Sequence, residues 1–193
     1  SFPPREVLFD YITGRAKKSN VRQYIQFGTA VRRVSFDESS QSFTLISESL
    51  GDGTLSSWQF DHVIVATGHF STPNVPDYPG FESFPGRILH SHDFRDAAEF
   101  AGRRLLVLGS SYSAEDIALQ SLKYGADSVT VAYRHAPMGF GWPEGISEVP
   151  ALQRVEGRAA HFADGTSREV DAIVLCTGYR HHFPFIDEEL RLS

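Results

Sequence analysis

The sequence is poor in several things, and each shortage excludes something. It has one cysteine, Cys176, among 193 residues, so no disulfide can close within the chain. Cys176 lies in the apolar run AIVLCTG (172–178), where a buried inert thiol is expected rather than a nucleophile. So few cysteines fit a reducing compartment. No apolar stretch reaches transmembrane length and no signal-peptide pattern is visible. Together these point to the cytoplasm. Positive charge is also short: 18 Lys and Arg against 24 Asp and Glu leave a net charge of −6. That balance argues against a general nucleic-acid or membrane binder, but not against a small anion held by a helix end and a single arginine. No catalytic triad or carboxylate pair stands out. The chain opens SFPPREVLFDY without a methionine and closes ELRLS just after a strand and turn. It reads as a piece of something longer.

What is present is ordinary in bulk, 41% hydrophobic and 22% charged, and long enough for one domain or two small lobes. Val7, Leu8, Tyr11 and Ile12 recur at helical spacing and predict an amphipathic helix closing near Ser19 and Asn20. RQYIQFG (22–28), AVRRVSFD (30–37), SFTLISES (42–49) and TLSSWQFD (54–61) predict short strands of an antiparallel meander, with a hairpin at GDG (51–53). HVIVATG (62–68) is continuously apolar and predicts a parallel strand buried on both faces. The proline- and glycine-rich stretch 69–86 reads as a connector between lobes. GRILHS (86–91) predicts a short strand. RLLVLG (104–109), SAEDIALQSLKYG (113–125) and SVTVAYR (128–134) predict a βαβ unit. HAPMGFGWPEGISEVP (135–150) reads as a long irregular loop. Strands follow at LQRVEG, AAHFADG and TSREVDAIVLCTGY, with a hairpin at Asp164-Gly165. FDHVIVATGHF and VDAIVLCTGYR share one design: an Asp before an apolar core, then Thr-Gly at a ligand-facing turn.

RRLLVLGSSYSAEDIA (103–118) has the strand, sharp turn and helix of a dinucleotide-binding unit, yet only one glycine of the usual three. A phosphate at such a turn needs a tight backbone and helix N-terminal N–H groups aimed at it. Gly109 supplies the turn. Ser111 stands at the second fingerprint position and Ala114, an accepted variant, at the third. Ser110, Ser111 and Ser113 offer further donors. The motif alone equally fits any βα crossover with small residues at its turn. After the second strand comes Arg134, followed by His135, where an NAD site would place an acid. A cation there suits the 2′-phosphate of NADP, the alternative being a solvated surface arginine.

FPGRILHSHDF (84–94) sets Phe84, Gly86, His90 and Phe94 in the pattern F-x-G-x-x-x-H-x-x-x-(F/Y). This resembles the identifying sequence of the flavin-containing monooxygenases and their Baeyer–Villiger relatives. VATGHFSTPNVP (65–76) is similar to that family's A-T-G linker and LCTGY (175–179) to its T-G-Y segment, so the resemblance runs along essentially the whole chain. GSSYSAEDIA (109–118), YRHAPMGFGWPE (133–144) and TGYRHHFPF (177–185) resemble more narrowly the bacterial trimethylamine-oxidising branch. There Ser111 and Tyr112 stand in place of the Gly and Asn of the broader family's G-x-G-N-S.

The resemblance implies an α/β protein: a Rossmann-like NADPH-binding lobe with a parallel sheet (73–170), and part of an FAD-binding lobe carrying the antiparallel meander (1–72 and 171–193). It implies NADPH- and FAD-dependent transfer of one oxygen atom from molecular oxygen to a soft nucleophile, an amine or sulfide. Oxidation of trimethylamine or a related tertiary amine to its N-oxide comes first. By resemblance, Gly109, Ser110, Ser111, Tyr112 and Ser113 contact the pyrophosphate and nicotinamide side. Arg134 and His135 meet the 2′-phosphate, and Thr67-Gly68 and Thr177-Gly178 form cofactor-facing turns. Tyr112 is the expected catalytic residue, near the flavin–nicotinamide junction. The family's separate G-x-G-x-x-G for FAD is not found in this sequence. A truncated NADP(H)-binding module without activity of its own and a Baeyer–Villiger enzyme stay open as alternatives, as does a homodimer.

No metal is expected. His90 and His92 alternate beside Asp93 without further ligands in register, and His90 is expected to anchor one lobe to the other. Adjacent His181 and His182 point apart on an extended chain. Trp142 could line a substrate channel or pin its loop down.

Overall fold

The computed structural model describes residues 4–191. The chain divides into two units, Ser1–Ala66 with Phe183–Ser193, and Thr67–His182. No described helix is long and apolar enough to cross a membrane.

The first unit starts with helix α1 (Arg5–Lys18). Arg15, Lys17 and Lys18 sit in its last turn, where the helix dipole favours cations. The helix is where periodicity placed it, but none of its residues is buried; Val7, Leu8, Phe9, Tyr11 and Ile12 are all exposed. Asn20, in the left-handed region at φ 51°, then turns the chain, and Val21–Tyr24 form a 3₁₀ turn. The strand expected over 22–28 is therefore not made, since a β-rich composition yields a strand only where a partner and a packing surface exist. Strands β1 (Thr29–Asp37), β2 (Ser42–Ser49) and β3 (Leu55–Phe60) form the expected antiparallel meander in the order β1-β2-β3. Residues 185–187 return to β1: the Val34 N–H donates to the Phe185 carbonyl (2.6 Å) and the Asp187 N–H to the Val34 carbonyl (3.0 Å). The Arg33 guanidinium clasps the Asp187 carboxylate with bonds of 2.7 and 2.9 Å. Val34 is this unit's only buried hydrophobic residue among those described. HVIVATG (62–68) is not a strand. It pairs with no other described segment, and Ile64 is 90% exposed. An apolar run reports only that burial would be favourable; the ladder needs a neighbour.

The second unit is a five-stranded, all-parallel sheet with short antiparallel additions. Its strands are β4 (Thr72–Pro73), β5 (Arg87–His90), β6 (Arg104–Leu108), β7 (Ser128–Ala132), β8 (Ile146–Val149), β9 (Leu152–Glu156), β10 (Ala159–Phe162), β11 (Ser167–Glu169), β12 (Ala172–Leu175) and β13 (Tyr179–Arg180). The main sheet runs β5-β12-β6-β7-β8. Helix α2 (Tyr112–Lys123) links β6 to β7 and buries Ala114, Ile117, Ala118 and Ser121, spaced to fall on one stripe. One core cluster lies on the α2 side, with Leu105, Val107 and Val174. The other gathers Leu106, Ile173 and Leu175 with Val155, Ala160 and Phe162 from β9 and β10. Strands covered on both faces read as continuous apolar runs, which is why β6, β7 and β12 were visible in the sequence.

Three boundaries differ from expectation. Residues 171–182, expected in the partial FAD lobe, include β12 in the middle of the parallel sheet, where it pairs with both β5 and β6. The stretch 69–86, expected as a connector, belongs to the second unit and carries β4, paired with β13. The loop expected over 135–150 ends early, because Ile146–Val149 pair with β7 as β8.

Asp171 explains how β12 is seated. Its carboxylate accepts the Arg104 N–H at 3.0 Å and two guanidinium bonds from Arg104 and one from Arg158, each 2.9 Å. These donors hold the carboxyl well below the usual range. Gly86 belongs to the same seam: a Cβ there would lie 2.2 Å from the Asp171 carbonyl and 2.6 Å from the Phe84 ring. In the pattern that begins at Phe84, the phenylalanine and glycine are thus packing residues.

Candidate functional site: a cleft at the strand ends

In an open parallel sheet, a crevice forms where the strand order reverses, outside the carboxyl ends of the strands. Here the chain moves from β6 outward to β7 and β8, then returns through β12 on the other side of β6. A cleft of about 450 Å³ lies at those ends. Gly109, Ser110 and Ser111 line it after β6, Arg134 and His135 after β7, and Thr177 and Gly178 after β12. Asn74, Pro76, Tyr78 and Leu152 also line it.

Gly109 has a steric reason to be glycine. Its φ is 127°, and a Cβ would lie 2.2 Å from the Cys176 carbonyl. Its N–H donates to the Ala132 carbonyl at 2.9 Å, and the Cys176 N–H donates to the Leu108 carbonyl at 2.8 Å. The ends of β6, β7 and β12 are thereby knitted together beneath the cleft. Ser111 caps α2 in extended conformation, but its side chain makes no capping hydrogen bond. The Ala114 and Glu115 N–H groups donate to the Ser111 carbonyl at 2.8 and 3.1 Å, while those of Tyr112 and Ser113, at the positive end of the helix dipole, have no partner among the described residues and are left for an anion. Arg134 brings the opposing charge. Its Nε–H donates to His135 Nε2 at 2.8 Å, which leaves the terminal guanidinium groups to other acceptors.

Cys176 is 8% exposed and burial pushes its thiol up to about 12, which makes it inert, as expected. His90 is buried, with both ring nitrogens engaged. Nδ1 accepts the His92 N–H at 3.0 Å, and Nε2 donates to the Gly178 carbonyl at 2.9 Å. Burial lowers its pKa and favours the neutral ring. His90, expected as an anchor, ties the end of β5 to the 177–178 turn; both lie within the second unit. Trp142 packs on the α2-side core, 5.7 Å from the Phe140 ring, and does not line the cleft. That geometry pins the loop.

Seven of the expected cofactor residues meet in the cleft: Gly109, Ser110, Ser111, Arg134, His135, Thr177 and Gly178. Four expected residues do not line it. Tyr112 and Ser113 sit on the first turn of α2, with Tyr112 85% exposed, and Thr67 and Gly68 lie on the unpaired stretch. Asn74, Pro76 and Tyr78 were missed. Their signal was the recurrence of proline at 73, 76 and 79, which favours an extended wall over a loose connector.

This architecture, a parallel sheet with a glycine turn feeding a helix N-terminus at its switch point, is a Rossmann-like α/β fold. Comparison with known proteins narrows it. A family model described as flavin-binding monooxygenase-like matches residues 1–138, and the chain belongs to that family. Over its whole length it is 58% identical to a trimethylamine monooxygenase of Methylocella silvestris, of which it covers 43%. The solved structure of Tmm from Pelagibacter sp. strain HTCC7211 matches with a TM-score of 0.92 at 54% identity, over the whole chain and 43% of that protein. The S-allyl-L-cysteine S-oxygenase of Allium sativum matches at 0.84 and 27%, over 44% of its length. The chain thus spans less than half the length of these relatives.

Proposed function

We propose that residues 67–182 hold NADP(H) in the cleft, and that the protein is an NADPH- and FAD-dependent monooxygenase converting trimethylamine or a related tertiary amine to its N-oxide. The observation that carries the reading is the meeting of three strand-end turns, after β6, β7 and β12, on one cleft at the switch point. The cleft's size is that of a small-molecule site. Its donors suit a dinucleotide: the Ser110 and Ser111 hydroxyls, with the unpaired Tyr112 and Ser113 N–H groups beside them, for the pyrophosphate, and Arg134 with His135 for the 2′-phosphate. The relatives named for trimethylamine oxidation support the substrate class, and molecular oxygen follows from the family's chemistry.

FAD, when bound, supplies the oxygen-transferring chemistry. The chain's own residues bind and orient the nicotinamide cofactor, and Thr177 and Gly178 close the cleft on one side. Tyr112, next to Ser111 and exposed, is free to meet the nicotinamide ring and is the residue of this reading closest to catalysis. Soft-nucleophile oxygenation asks for a shaped, water-poor site rather than for a proton relay, and no carboxylate lines the cleft.

Titration of the full chain with NADPH and with NADH, by calorimetry, tests the reading. NADPH should bind more tightly. Arg134→Ala should cost about 10- to 100-fold in NADPH affinity, the worth of charge-assisted hydrogen bonds, with little change for NADH. Equal binding of both cofactors by the parent protein would remove Arg134 from its role. Product analysis with trimethylamine, sulfide and ketone substrates then separates N-oxygenation from its alternatives.

A further inference from the structure

We propose that Asn74 is a positioning residue of the cleft: it fixes the Thr177–Gly178 wall, and so sets the affinity for nicotinamide dinucleotides without selecting between NADPH and NADH. The inference rests on the reading of the cleft as a dinucleotide site.

Thr177 and Gly178 follow β12, the deepest strand of the sheet, but the turn itself has little packing to hold it. Gly178 has φ 77° and open space where a Cβ would stand. Hydrogen bonds do the holding, and most of them come from Asn74. Its N–H donates to the Gly178 carbonyl at 2.9 Å. Its side-chain Nδ2 donates to the Thr177 carbonyl at 3.3 Å, and Thr177 Oγ1 donates back to the Asn74 carbonyl at 2.6 Å. Arg180 Nε–H donates to Asn74 Oδ1 at 3.3 Å. This last bond decides which way the amide faces: oxygen to Arg180, nitrogen to Thr177. The β4–β13 pairing continues the clasp, with Pro73 opposite Tyr179 and Thr72 opposite Arg180.

The clasp bears on the cofactor turn by direct contact. Thr177 follows Cys176, whose carbonyl lies so close to Gly109 that no Cβ would fit between them. A shift of residues 177–178 therefore presses on the turn that carries Ser110 and Ser111. Asn74 also lines the cleft itself, as Ser110 and Ser111 do. Arg134 follows a different strand and shares none of the Asn74 hydrogen bonds. Loss of the clasp should therefore weaken every dinucleotide alike.

The test is calorimetric titration of the full chain and of Asn74→Ala, Thr177→Val and Thr177→Ser with NADPH and NADH, with thermal unfolding in parallel. Asn74→Ala removes both side-chain bonds and leaves the main-chain ones. It should weaken both cofactors about 10-fold, the worth of one to two net hydrogen bonds, with their ratio unchanged. Thr177→Val should do the same, and Thr177→Ser, which keeps the hydroxyl, should restore binding. Unchanged affinities with only a lower unfolding midpoint would overturn the proposal, as would selective loss of NADPH. Should Asn74→Ala not fold, the Thr177 pair carries the same decision. Failure of the parent chain to bind either cofactor would instead sink the reading of the cleft.

Discussion

Residues 61–68 and 171–178 are nearly the same sentence, DHVIVATG and DAIVLCTG, placed in two different contexts. Ile64 is 90% exposed and its counterpart Val174 is 0% exposed. Asp61 makes no ion pair among the described residues, whereas Asp171 gathers two arginines and a backbone N–H. Both segments end at a glycine with positive φ, 74° at Gly68 and 77° at Gly178, yet only Gly178 lines the cleft. The pattern states that a segment would gain by burial and could end in a turn. Neighbouring strands decide whether it does.

Paired substitutions can break or sharpen this comparison. Leu175→Ala empties a site between β9–β10 and the sheet and should destabilise by about 2–5 kcal/mol in urea unfolding, where Val65→Ala should stay within about 0.5 kcal/mol. Equal losses would mean that residues 62–68 are packed in solution. Asp171→Asn should cost about 1.5–3 kcal/mol near neutral pH, as expected for hydrogen bonds to a charged group. Asp61→Asn should cost almost nothing by the same assay. The Asp171 carboxyl is depressed in the folded state, so its contribution is complete above the unfolded value of about 3.9 and is lost as the pH falls through the folded one. The acid limb of the stability curve should be shallower in Asp171→Asn than in the parent.

Gly68→Ala and Gly178→Ala carry the same backbone penalty, about 1–2 kcal/mol each. Only Gly178→Ala should also weaken NADPH binding; an equal effect from Gly68→Ala would bring that turn to the cofactor as well. The smallest perturbation is chemical. Cys176 should react with a thiol reagent only as the protein unfolds, given its burial and raised pKa. A cysteine introduced by Ala66→Cys, the matching exposed position, should label within the mixing time. Fast labelling of Cys176 in native conditions would refute the burial of β12's end.

Much of the second unit was legible because its chemistry repeats at short range. The apolar runs at 104–108 and 128–132, the glycine at 109 and the serines after it announce buried strands and a helix-opening turn within about 30 residues of one another, and the run at 172–175 announces a further buried strand by itself. The meander was legible for the same reason, since its strands pair with their nearest neighbours across short turns. The failures lie where a long-range partner decides. RQYIQFG has strand composition, but a left-handed Asn20 and the lack of a partner make it a turn. The wall at Asn74–Tyr78 looked like a connector because the site it builds lies a hundred residues away in sequence.

The sequence by itself determined the local conformations with a single low-energy answer: α1, α2, the hairpins, the turn at Gly109 and the charge at Arg134. It also determined, through its motifs, the family. Only the tertiary structure decided that β12 inserts between β5 and β6, that 62–68 stays unpaired among the described residues, and that Asn74 and Thr177 clasp each other in the wall of the cleft. The reason is physical. Local preferences are set by φ, ψ and side-chain sterics within a few residues, whereas strand partners are set by which hydrogen-bonding edge remains open once the rest of the core is packed.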